Sequence, residues 1–146
     1  MRLSGRLRAP LLALIASVVV LVLSGCGGSM RADELGRSVG SLGSAASEGS
    51  LLAQGVVENR TKTTFVRVRA RELGETVEHE AEKLSDASAE GAVAVAKDRA
   101  VELAGSISQA LGDLQTSPDD AAQARRAEQT LRALADRASR LAAEQA

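Results

Sequence analysis

The sequence predicts an all-α fold: an antiparallel up-and-down bundle of three to four helices that follows a cleaved N-terminal signal. Three observations predict it. Apolar residues recur at steps of three and four through four successive segments. The breaks between those segments are short, as sequential antiparallel helices require. The one stretch that alternates like a strand, Val66-Arg67-Val68-Arg69-Ala70-Arg71, has no second such run to pair with.

Residues 1–10 carry Arg2, Arg6 and Arg8, no acid, and end on Pro10. Leu11 to Leu23 is a 13-residue uncharged apolar run. A membrane-spanning helix needs about 20 apolar residues, so this run is short for a span. A basic start, an apolar stretch of that length and then small residues is the layout of a secretory signal. Ser24 and Gly25 supply the small residues, and Cys26, the only cysteine, follows directly. The chain therefore divides into a signal (1–25), Cys26 with a flexible tether (26–31), and a helical bundle domain (32–146). About 120 residues remain after the cut, enough for one modest core.

From Ala32, the residues Leu35, Val39, Leu42, Ala46, Gly49, Ala53 and Val56 step along one helix face. The segment also holds Gly36, Gly40, Gly43, Gly49 and Gly55, and each interior Gly weakens a helix by up to about 1 kcal/mol against Ala. Two readings fit: a small-residue helix packed close to its neighbours, or a semi-ordered spacer up to about residue 50. The stripe favours the helix. Asn59 to Thr64 breaks the composition, with Thr61 as a candidate cap. A second stripe follows: Val66, Ala70, Leu73, Val77, Ala81 and Leu84. Ser85 to Gly91 reads as a turn with Ser88 as a cap. Val93, Ala96, Ala100, Leu103, Ile107, Ala110 and Leu114 form the third stripe. Thr116-Ser117-Pro118-Asp119-Asp120 reads as a helix start, with Ser117 accepting free amides and Pro118 in the first helical position. The last stripe, Ala124, Ala127, Leu131, Leu134, Ala138 and Leu141, is a near-heptad seam. A two-helix coiled hairpin that oligomerises is the rival architecture. Seams so rich in Ala imply close helix spacing and a thin core, which points to modest stability or to self-association.

Leu23-Ser24-Gly25-Cys26 resembles the lipobox of bacterial lipoproteins, with Leu three residues before the cut, small residues next, and Cys just after it. The resemblance covers residues 1–26. It implies a diacylglyceryl group on the Cys26 thiol, cleavage between Gly25 and Cys26, and a chain held on the extracytoplasmic face of a bacterial membrane. Two or three acyl chains, at about 0.8 kcal/mol per buried methylene, make a lasting anchor where one does not.

Composition narrows the remaining classes. The full chain has a net charge of −1, and loss of the three signal arginines leaves the mature part mildly acidic. That is not a nucleic-acid footprint. Phe65 is the only aromatic residue, whereas ligand pockets and interfaces lean on aromatics for rigid contact area. One histidine, no tyrosine and a single cysteine supply no base–nucleophile pair, so no enzyme activity and no cofactor are expected.

Two clusters remain. Glu72, Glu75, His79 and Glu82 share one helix face, and carboxylates with an imidazole can bind a divalent cation. Their order matches neither a Glu-x-x-His nor a His-Glu-x-x-His pattern, and a solvated acidic face is the simpler reading. Arg60, Lys62, Arg67, Arg69 and Arg71 can meet an anionic surface, at about 1 kcal/mol each. Pairing with the acids after Glu72 is the alternative for them. The expected role is a lipid-anchored, non-enzymatic helical interaction or structural element, with its own copies or an envelope protein as partner. The alternatives are a metal- or small-ligand-binding module, and an envelope tether like murein lipoprotein. That family attaches through a C-terminal Lys, where this chain has Glu144-Gln145-Ala146.

Overall fold

The computed structural model describes residues 29–146, which form four α-helices. They are α1 (Ala32–Val57), α2 (Thr63–Asp86), α3 (Gly91–Thr116) and α4 (Ala121–Ala143). The signal, Leu23, Ser24, Gly25 and Cys26 lie outside the described residues. Sequential helices run antiparallel. Across α1 and α4, Gly36 faces Gln145, Gly43 faces Ala138 and Gly49 faces Leu131, so one number climbs as the other falls. Arg69 reaches Glu48 from α2 to α1, and Arg137 reaches Glu102 from α4 to α3 at 3.2 Å. The result is the up-and-down bundle, not the two-helix hairpin.

All four apolar stripes turn inward. Leu35, Leu42, Leu84, Leu103, Ile107, Leu111, Leu114 and Leu131 are the largest fully buried side chains; Val39, Val66, Val77 and many alanines pack between them. Ala81, Val93 and Leu134 are only half-buried, and Ala135 takes the buried place beside Leu134. A strict heptad drifts around a straight helix by about 20° per repeat, which is enough to exchange these neighbours.

The glycine-rich segment is a helix throughout, and it is the centre of the bundle. α1 and α3 each pack on all three other helices, α1 the more extensively and most of all on α4, whereas α2 and α4 do not touch each other. The glycines of α1 explain how. A Cβ on Gly43 would stand 3.1 Å from the Ala138 Cβ, and one on Gly49 would stand 2.7 Å from Leu111 Cδ2. The backbone of α1 thus approaches its neighbours so closely that a larger residue at either position would displace them. Gly40 is different: a Cβ there meets nothing within 4 Å. Gly40→Ala should therefore raise stability by about 0.5–1 kcal/mol through helix propensity alone, measured by urea denaturation.

The helix starts depart from the sequence expectation. At α4 the cap is Asp120, not Ser117: Asp120 Oδ1 accepts the amides of Ala122 at 2.8 Å and Gln123 at 2.9 Å. Ser117 instead ends α3, its amide donating to the Asp113 carbonyl at 3.0 Å, and Pro118 lies buried in the turn rather than in the first helical position. The amides of Gln123 and Ala122 hold the Asp120 carboxyl below its ordinary range. That bonding is complete above the ordinary carboxylate pKa and is lost as pH falls through the depressed one. Asp120→Ala should lower the melting temperature at neutral pH and make little difference in acid, where wild type has lost the charge too. Thr61 does not cap α2, whose N-cap is Lys62 without a side-chain bond. Ser88 does not cap α3, which starts at Gly91 after Glu90 with Gly91 at φ +57°.

Candidate functional site

The entry of the chain into the bundle is the first feature that bears on function. Met30, placed by the sequence in the tether, is buried, and its amide donates to the Ser88 carbonyl at 2.7 Å. Arg31 precedes α1, and its amide donates to Glu34 at 3.2 Å. The described chain thus begins pinned beside the α2–α3 turn, at the end of the bundle that also holds the α4 C-terminus. The α1–α2 and α3–α4 turns form the opposite end. α1 is 26 residues long, so the two ends are separated by about 39 Å.

The acid–histidine cluster does not come together. Glu75, His79 and Glu82 are exposed on the outer face of α2, and no group of three or more potential ligands among the described residues is arranged to hold a metal. Glu72 is engaged by Arg69 at 2.8 Å, and Glu75 lies 3.8 Å from Arg71. Equal spacing on a helix puts side chains on one face, but long exposed side chains there fan outward into solvent.

The basic run is also divided. Arg60 pairs with Glu58 in the α1–α2 turn. Arg69 spans to Glu48 of α1 as well as to Glu72, and both carboxylates raise its pKa, Glu72 the more. Gln54 and then Arg60 hold the Glu58 carboxyl below its ordinary range. Arg71 faces Glu75, while Lys62 and Arg67 have no ion pair among the described residues. Pairing within the protein accounts for three of the five.

The Ala/Leu seams expected to serve association are used inside the chain: Ala124, Ala127, Leu131, Ala138 and Leu141 are all buried. What remains outside is a different apolar set. Phe65 is 58% exposed, Val68 43% and Leu51 65%. An open groove of about 520 Å³ runs between α1 and α4 past Gly40, Gly43, Ser44, Ser47 and Ala138 to Leu51. Its walls are mostly small side chains, with little polar chemistry beyond three serine hydroxyls and Glu48.

One arrangement was missed in the sequence. The outer face of α2 carries Arg67 and Arg71 in its N-terminal half and Glu75, Glu78, Glu82 and Asp86 in its C-terminal half, all exposed. Charges at helix ends normally take the opposite order, with acids at the positive N-terminus. Summing the charges over each half of the segment 63–86 exposes the order. Comparison with protein families, with curated proteins and with solved structures finds no match for the chain.

Proposed function

We propose that this protein is a lipid-anchored bacterial envelope protein, held on the extracytoplasmic face of the membrane, whose helical bundle has a non-enzymatic interaction or structural role. The observation that carries this reading is Leu23-Ser24-Gly25-Cys26 at the end of a short apolar run with a basic start. Acyl chains on Cys26 bind the membrane. Among the described residues no helix is long and apolar enough to cross it.

The entry geometry supports a close-held bundle. Only Gly27 and Gly28 separate Cys26 from Ser29, and Met30 is already part of the core. The end with the α2–α3 turn is therefore tied near the lipid surface. Arg60 and Lys62 lie in the far turn, so they reach the head groups of the same bilayer only when the bundle lies along it.

Membrane fractionation of Cys26→Ala against wild type tests the proposal. Wild type should sediment with membranes and enter solution only with detergent. The variant should lose lipid labelling and remain uncleaved. A variant that stays on the membrane as processed protein would overturn the reading.

A further inference from the structure

The outer face of α2 is charged in a way that the bundle itself does not explain. Thr64, Val68, Arg71, Glu75, Glu78, Glu82 and Asp86 follow one another at steps of three or four, and Arg67 flanks them. Lys62, Arg67 and Arg71 occupy the start of the helix; Glu78, Glu82 and Asp86 occupy its end, where the one base, Lys83, lies to the side of the stripe and pairs with Glu80 at 3.5 Å. The first turn of α2 contains no acid. Along the helix the exposed charge therefore changes sign from basic to acidic between Arg71 and Glu75. Contacts within the chain do not compensate. Of the outward set only Arg71 and Glu75 pair, within α2 and at a long 3.8 Å, and Arg69 is the residue of α2 that bridges to another helix.

A surface that is basic at one end and acidic at the other fits a partner with the reverse order. An anionic membrane does not offer this, because it would repel the acidic half. A second copy of this chain offers it when its α2 runs antiparallel. We propose that two copies pair through the outer faces of α2, antiparallel about a two-fold axis near Gly74 and Glu75. Arg67 and Arg71 of each copy then lie over Glu82 and Glu78 of the other, and the contact is isologous. Glu75 of both copies lies at the axis, each flanked by Arg71 of its own chain at 3.8 Å, so the two carboxylates meet between two cations. Val68 lies inside the footprint and Phe65 at its edge, so the association covers two of the exposed apolar side chains.

This inference deepens the reading of an anchored interaction element by naming its partner, and it has a geometric consequence. The two chain starts at Ser29 and Met30 lie at opposite ends of the pair, so anchors joined to them would both enter one bilayer when the pair lies along it.

The test uses the full chain with Cys26→Ser in detergent, which carries neither lipid nor thiol, so that its outcome is independent of the anchor. Sedimentation should show a dimer at about 0.05 M salt that dissociates by about 0.5 M, because exposed charge pairs are screened. R67E/R71E makes the stripe uniformly acidic and E78R/E82R makes it basic. Each should be monomeric with unchanged helicity, and an equimolar mixture of the two should dimerise. A wild-type monomer at low salt, a variant that still dimerises, or a mixture that stays monomeric would each overturn the proposal.

Discussion

Replacing Leu131 by Ala should lower the unfolding free energy by about 2–5 kcal/mol, the range for large-to-small changes in a core. Leu131 is fully buried on α4 and abuts α1 at Gly49, where its Cδ1 would be 3.0 Å from an added Cβ. The cost depends on whether neighbours can move into the void. Around Leu131, Gly49 and the alanines of α4 have no side chain to extend, which leaves Leu111 as the neighbour that can move into the void. The bundle has few large residues to lose, and total stabilities of about 5–15 kcal/mol are usual for a domain. Urea denaturation followed by circular dichroism measures the change. Leu51→Ala is the matched control: Leu51 is 65% exposed, so its loss should fall within about 0.5 kcal/mol. Equal effects at the two positions would mean that α4 does not seat Leu131 against α1.

The second large effect is expected at Gly49. Helix propensity alone favours Val over Gly, so an exposed position would be slightly stabilised by Gly49→Val. Packing predicts the opposite sign. The first added carbon already stands 2.7 Å from Leu111 Cδ2 and 3.0 Å from Leu131 Cδ1, so both buried leucines must shift to admit the larger side chain. Overpacking of this kind costs about 1–3 kcal/mol. Combining Gly49→Val with Leu111→Ala should cost less than the two changes separately, since each relieves the other. The sign of the single variant and the non-additivity of the pair together test whether α1 is the tightly packed centre of the fold. A stabilised Gly49→Val would show that it is not.

Much of this fold is legible in the sequence. Leu35, Val39 and Leu42, or Leu103 and Ile107, repeat with the helical period because a helix in a bundle must present one apolar stripe. The same period identified the helix in Val66–Arg71 although the local alternation suggests a strand. The role of the glycines in α1 was not legible. A Gly in a sequence reads alike whether it loosens a spacer or admits a neighbouring backbone, and only its partners Ala138, Leu111 and Leu131 decide. The α4 cap was misassigned because Ser117, Asp119 and Asp120 can all cap, and the choice depends on where α3 ends. Leu134 and Ala135 exchanged burial because a heptad pattern and a 3.6-residue helix diverge with length. Phe65, the only aromatic residue, lies outside the core, which composition does not foretell.

Function is legible in a different place. The lipobox-like motif is read from sequence alone, whereas the charge order along α2 takes on meaning once the outer face of that helix is known. The acid–histidine spacing conveyed a shared face but not convergence, because convergence needs a second element opposite. For Arg69 the converse holds: its partner Glu48 sits on α1, at a separation that no local spacing rule predicts.

Mass spectrometry of the N-terminal peptide from wild-type protein extracted from membranes tests the anchor most directly. The expected chain begins at Cys26, with a diacylglyceryl group on the thiol. A peptide that runs unbroken through Gly25 and Cys26, or a chain that begins at an unmodified Cys26, would contradict the anchored reading.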